Sequence, residues 1–380
     1  MEKTISTNQT SLILIIFTIS LKLSVLPAIT CDFANNDAYI VALIACIIDF
    51  LLTIAIIVIM QKIPQKNFFE LTKETLSKPV AIIVYIFLFV YFFLKLLIAL
   101  LELHDYYIVT LFEHLNPFFF ILALSFFMLY IFNCQFRAIG RMIEICFWPL
   151  AIGIAFTLLY PIAEVQLVNL FPMFENGAYP IYNGLIRTSF AYGDFMILFV
   201  LMGNIKYSKH ATKKILLYMS TILGFIFNFY VIFVGTFGDT AVNQSLALSE
   251  LPLHNPYPTA IGRLEWLTII MWTAILLIQI SILGISCTSC LKHILGFRDK
   301  KIPSFVTIAI VLALYAPTYL KLEPIVKFAT ENAFSYTAKG FEILCIVLLY
   351  IEYFLYKKKS MGAKDFKVGK KDVKYSKKAI

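Results

Sequence analysis

The sequence predicts an all-α polytopic membrane protein, and three observations carry that prediction. Hydrophobic residues make up 60% of the 380-residue chain and charged residues only 14%. Mean hydropathy is +0.83, more apolar surface than a soluble fold hides. The apolar residues gather into ten runs, each of a length suited to a bilayer-crossing helix. Finally, the basic residues alternate by loop. The runs fall at 10–30, 38–60, 79–101, 116–133, 142–161, 181–203, 214–237, 264–289, 303–321 and 336–356. They are called spans 1 to 10 below.

Loop charge sets the expected orientation. Twenty-five Lys and Arg residues fall before span 1, in alternate loops and after Tyr356, and only Arg263, Lys321, Lys327 and Lys339 fall on the other side. Both termini are therefore expected in the cytoplasm, which requires an even number of spans. The net charge of +9 is accounted for by this sorting and by the tail, so it gives no reason to expect a nucleic-acid partner. Residues 1–356 read as one transmembrane domain. Residues 357–380, with ten lysines and no apolar face, read as a disordered cytoplasmic tail that meets anionic lipid electrostatically. The long connections Pro161 to Pro180 and Gly238 to Arg263, rich in Pro, Asn and Gly, have room for a short interfacial helix.

Ten spans divide into five plus five, and an odd number per half inverts the second half. The repeats are expected at about 5–161 and 181–356, so span 1 and span 6 correspond. Both are irregular. Span 6 carries Ala191-Tyr192-Gly193-Asp194 near its middle. Glycine weakens a helix, and an ionised Asp at the bilayer centre costs at least about 2.5 kcal/mol. Span 1 carries Ser20-Leu21-Lys22-Leu23-Ser24 before Pro27, which lacks a backbone donor. Interrupted helices at matching positions of inverted halves point to a midplane ligand site. The expected ligand-binding residues are Ser20, Lys22, Leu23, Ser24, Lys95, Ala191, Tyr192, Gly193, Asp194 and Trp272. Asp194 would take a cationic end of the ligand, and Tyr192 would hydrogen-bond or stack. Lys22 would pair with a ligand carboxylate or with Asp194 itself. Asp49 in span 2 is read as a scaffold hydrogen-bonding group. Glu102 sits at the far end of span 3 and Glu342 in the outer half of span 10; Arg187 snorkels near the outer end of span 6.

Catalytic and metal signatures are absent. His104 and His114 are placed in the loop after span 3, and the remaining histidines are scattered. No zinc-protease, nucleophile-elbow or phosphate-loop motif occurs. Cys287-Thr-Ser-Cys290 has C-x-x-C spacing, but it closes a long apolar helix without a second pair. No cofactor and no enzymatic activity are expected.

Four short stretches carry a family resemblance. They are Ile5-Ser6-Thr7-Asn8-Gln9 ahead of the run ending in Pro27, and Gly140-Arg141-Met142-Ile143-Glu144-Ile145 leading to Pro149. The others are Ser189-Phe190-Ala191-Tyr192-Gly193, and Arg263-Leu264-Glu265-Trp266 with Trp272 beyond. In order and spacing the chain resembles the spore-germination permeases, the B subunits of Ger-type nutrient germinant receptors, within the amino acid–polyamine–organocation transporter superfamily. The resemblance implies a ten-helix inverted repeat of the LeuT type. It implies sensing of a small nutrient, most often an amino acid, with an A-type membrane subunit and a C-type lipoprotein subunit in the spore inner membrane. Glu102, Arg141, Glu144, Arg263 and Glu265 are the expected gating or partner-contact residues; Arg141 and Glu144, at i and i+3, are also placed to pair with each other. One departure stands out: the family has glycine or another small residue where this chain has Ser20 and Lys22. The superfamily's other members suggest the alternative, a proton-coupled or exchange transporter of amino acids.

Overall fold

A computed structural model describes residues 4–63, 66–111, 116–253, 265–318 and 322–376. Nearly everything described is helical. The first expected span is two helices, α1 (Thr7–Leu23) and α2 (Leu26–Ala34). Next come α3 (Ala38–Met60), the short α4 (Phe68–Thr75), α5 (Lys78–Thr110), α6 (Pro117–Ile131) and α7 (Phe136–Leu159). The sixth span is α8 (Ala178–Arg187), α9 (Ser189–Tyr192) and α10 (Ile197–Leu201), with a 3-10 turn at Asp194–Met196. The rest is α11 (Ala211–Phe237), α12 (Ala247–Leu253), α13 (Glu265–Leu295), α14 (Lys301–Thr318), α15 (Leu322–Ala329) and α16 (Asn332–Ser376). Among the described residues five stretches can cross a bilayer by length and composition: Leu26–Met60, Lys78–Thr110, Phe136–Glu164, Ala211–Asn243 and Leu267–Leu295. Shorter apolar helices lie at Thr7–Leu23, Phe118–Ile131 and Lys301–Tyr315.

The burial pattern explains the arrangement. Of the residues of α1 only Asn8 escapes burial, and a helix apolar on all sides belongs at the centre. It packs against α11, α7 and α13, while α13 also lies along α5. By contrast α7 exposes Ile145, Trp148, Ile152, Phe156 and Leu159. At spacings of three and four these form one stripe, the face such a helix turns to lipid.

The end that carries the lysine-rich loops is tied together by backbone. Ser6 caps α1 by accepting from the Gln9 N–H, and the Gln9 side chain accepts from the Ser6 N–H, a complete capping box. Gln9 then donates to Glu144 Oε2 at 3.0 Å. Ile5 and Ser6 pair in parallel with Ile205 and Lys206, just past the end of α10. Gly203 makes the turn into this ladder with φ of +82°, and a Cβ there would stand 2.7 Å from the Asn67 backbone nitrogen.

Several boundaries differ from expectation. No breaker interrupts α5 before Leu111, so the helix runs nine residues past 101 and takes His104 with it. His104 is buried against Phe120 and Tyr315 rather than sitting in a loop. The helix α16 is drawn on through the basic segment to Ser376; extending an existing helix avoids the nucleation cost. The connection after Pro161 holds 3-10 turns at Tyr160–Glu164 and Leu167–Leu170 instead of an interfacial α-helix. Gly203→Ala combines left-handed strain with a backbone clash. It is expected to cost about 1–3 kcal/mol, read as a lower thermal midpoint of the detergent-solubilised protein.

Candidate functional site

Lys22 is the next-to-last residue of α1, two before the Ser24 break. Its Nζ donates to Asp194 Oδ2, lies 3.5 Å from Asp49 Oδ2 and stands 4.8 Å from the Tyr192 ring centroid. Lys95 on α5 donates to the other Asp194 oxygen, Oδ1, at 2.7 Å. Its ammonium is also surrounded by the rings of Phe17, Tyr91 and Phe190 at 5.6, 5.4 and 5.5 Å. Lys22, Lys95, Asp49 and Asp194 are all buried. Two cations and two carboxylates therefore balance where three separate helices converge on the span 6 break, and each charge is affordable only because the others are there.

A second group fixes the break from the far side. Tyr91 Oη lies 2.9 Å from the Gly193 carbonyl oxygen and 2.8 Å from Glu342 Oε1. Its single proton can serve one acceptor at a time. Glu342 Oε2 accepts from Lys339 at 2.8 Å. Gly193 has φ of −75°, so no left-handed backbone demands glycine here. Space does: a Cβ would come within 1.8 Å of Glu342 Oε1 and 2.1 Å of Tyr91 Oη.

Ser20 donates to Gln279 Oε1 on α13, tying the first broken span to the eighth. Leu23 and Ser24 are buried at the break. Trp272 is buried with its indole N–H unpartnered. Ala191 lines a cavity of about 30 Å³ between the two breaks, bounded also by Leu21, Val25, Ile98 and Phe190. That volume admits about one water; an amino acid requires the surrounding helices to part.

The structure thus brings Lys22, Lys95, Tyr192, Gly193 and Asp194 together. Asp49, read as scaffold, is part of the same charge network. Glu102 is buried one turn short of Asp105, not at a helix end. Arg141 and Glu144 form no ion pair with each other: Glu144 is taken by Gln9, whose side chain packs against Gly140. Arg263 lies outside the described residues, and Glu265 is described only as the first residue of α13. Arg187 does not reach freely to the surface; it is half-buried, bonded to Asn183 and 4.7 Å from the Phe33 ring. Sequence reasoning missed Tyr91 and Gln279 and gave Glu342 no role. A lone Gln in the apolar run of span 8, and Tyr91 one helical turn before Lys95, were the available signals.

Broken, charge-bearing helices buried inside an apolar bundle define a multi-pass membrane protein of the permease type. Comparison with known proteins agrees. The profile of a family described as Spore germination protein matches residues 4–323, and the chain belongs to that family. Two solved variants of a manganese transporter from Eremococcus coleocola share the fold. A histidine-to-alanine variant is 14% identical with a TM-score of 0.61, and a glutamate-to-glutamine variant is 13% identical with a TM-score of 0.60. Each alignment covers 92% of this chain and 84% of the other. No curated protein matches.

Removing one partner of a buried pair leaves an uncompensated charge, at about 3–5 kcal/mol. Asp194→Asn strips both lysines and is expected to cost the most in the cluster. Lys22→Met, which keeps the Lys95–Asp194 pair, is expected to cost less. Combining the two should lower the midpoint by less than the sum of the single changes, because the pair is coupled. Gly193→Ala should be as damaging as Asp194→Asn, with Tyr91→Phe relieving part of the clash.

Proposed function

We propose that this protein is the nutrient-sensing, permease-type subunit of a spore germinant receptor. In this reading it lies in the spore inner membrane as ten spans in two inverted halves of five, with both termini cytoplasmic and the basic tail against anionic lipid. It acts with an A-type membrane subunit and a C-type lipoprotein subunit, and its ligand is a small nutrient, an amino acid in the first instance. The ligand binds where spans 1 and 6 are broken.

The observation that carries this reading is the occupation of Asp194 by Lys22 and Lys95. A carboxylate at the broken span 6 is where a transporter can hold a travelling cation. Here two tethered ammonium groups fill that role, and a tethered cation cannot be released on the other side. The solved protein of like fold is a manganese transporter, whereas this chain holds side-chain cations at its break. A ligand shifts the conformational equilibrium only by its differential affinity for the two states. Rearrangement of the Lys22–Asp194 contact supplies such a difference, and the partner subunits read the resulting movement of spans 1 and 6.

The alternative, an amino-acid secondary transporter, is favoured by the family's permease fold. Proteoliposomes separate the two. The receptor reading expects no saturable accumulation of radiolabelled amino acids under an imposed pH gradient. Saturable, gradient-driven uptake would overturn it. In spores, Lys22→Ala is expected to alter the range or affinity of nutrient response; an unchanged response would reduce Lys22 to a structural cation.

A further inference from the structure

Asp194 is spoken for, yet another carboxylate in the same core is not. Glu102 lies on α5 seven residues beyond Lys95, about 10 Å along the helix and on the same face. It is fully buried, and neither of its oxygens has a hydrogen-bond partner. The Ser24 hydroxyl and the Trp272 indole face it, but neither completes a bond of ordinary geometry, and the Trp272 N–H is itself unpartnered. An ionised carboxylate buried without a partner costs several kcal/mol, a cost that either a proton or a donating ammonium group removes.

The approach to this part of α5 is from the face opposite the lysine-rich loops, although Glu102 itself lines neither cavity there. A vestibule of about 660 Å³ opens there between α2, α5, α8 and α15. Its described lining carries four carboxylates, Asp32, Asp105, Glu323 and Glu331, against two cations, Arg187 and Lys327. Arg187 is engaged by Asn183 and Phe33. The vestibule shares Val25, Ile29, Arg187, Val326 and Thr330 with the small cavity between the breaks. Along α5, Asp105 lines the vestibule and Ile98 the small cavity. Glu102 lies between them, one turn from each, and Ser24 adjoins Val25, which lines both.

We infer that Glu102, with Ser24 and Trp272, forms the recognition site for a primary ammonium group on the ligand, reached through this acidic vestibule. The inference rests on the nutrient-sensing reading and names its ligand class: an amine, or an amino acid bound through its amino group. The chemistry selects for it. An ammonium presents three donors to a carboxylate and a hydroxyl oxygen, while the indole N–H faces the same carboxylate as a further donor that favours its ionised form. An indole N–H cannot ligate a metal ion, and a second carboxylate would be repelled. Lys22 and Lys95 do not compete, because Asp194 and Asp49 hold them.

The test uses the full-length protein in detergent at pH 7, with matched probes. Amides of alanine, valine and leucine carry the ammonium without a carboxylate, and the corresponding 2-hydroxy-acid amides replace the ammonium with a hydroxyl. At least one amino-acid amide is expected to raise the thermal midpoint saturably, with its hydroxy counterpart tenfold or more weaker. Glu102→Gln, nearly isosteric, should abolish the shift. Trp272→Phe, which keeps a ring, should raise the half-saturating concentration several-fold, and it supplies the test if Glu102→Gln fails to fold. Equal stabilisation by the hydroxy amides, stabilisation surviving in Glu102→Gln, or no stabilisation by any amino-acid amide would overturn the assignment. If sugars or nucleosides stabilise the protein while the amides do not, the ammonium site falls and the receptor reading stands. If a stabilising amide is also accumulated by proteoliposomes, Glu102 keeps its role and the sensing reading falls.

Discussion

Everything at the centre of this protein depends on one carboxylate held by two ammonium groups. Asp194 sits where span 6 stops being helical, and its two oxygens reach different helices, α1 through Lys22 and α5 through Lys95. Lys22 in turn stands beside Asp49 on α3. Opposite charges attract far more strongly in an apolar interior than in water, so these contacts act as cross-links between helices whose remaining contacts are mostly apolar. Dispersion packing alone would let α1, α3, α5 and the broken sixth span slide; the charge geometry allows one register. Tyr91, whose hydroxyl is within hydrogen-bonding reach of both Gly193 and Glu342, extends the same constraint to α16.

Much of this could be read from the chain. The apolar runs located most of the long helices, because bilayer thickness fixes helix length. The breaks were legible where chemistry conflicts with a helix: Pro27 and the polar residues before it, and Gly193-Asp194. The possible pairing of Lys22 with Asp194 followed from placing both at the same depth. What stayed hidden depended on distance across the fold. Gly193 reads in sequence as a weak helix former, yet its position is set by the close approach of Glu342 and Tyr91, residues 149 positions downstream and 102 upstream. Helical spacing places Glu144 where it could meet Arg141, yet it accepts from Gln9, 135 positions away. The short helix α4 had its own local sign, since Asn67 accepts from the Glu70 N–H, but in a basic loop that cap is easily passed over.

The four short motifs also gain a physical meaning. Ser6 and Gln9 of the opening motif cap α1, and Gln9 uses its remaining capacity to bind Glu144 while resting on Gly140. The first and second motifs are thus two halves of one joint between the start of span 1 and the start of span 5. Their separation in sequence conceals this; their residue types, a capping pair, a glycine and an acceptor, suit the work they do together.

The ladder between residues 5–6 and 205–206 has a mechanical consequence. It joins the near end of α1 to the chain just beyond α10, so the two half-helices on that side of the breaks share a backbone seam. Two levers that could pivot separately about their breaks become one. Whatever disturbs the lysine–aspartate lock at the centre would then reach the lysine-rich face as a single correlated displacement, delivered at a place where Gly203 lies against the backbone of the loop leading into α4. A bundle built this way has fewer independent motions than its number of helix breaks suggests, and that economy is what allows a small event at mid-depth to be felt as a coherent shift at the surface.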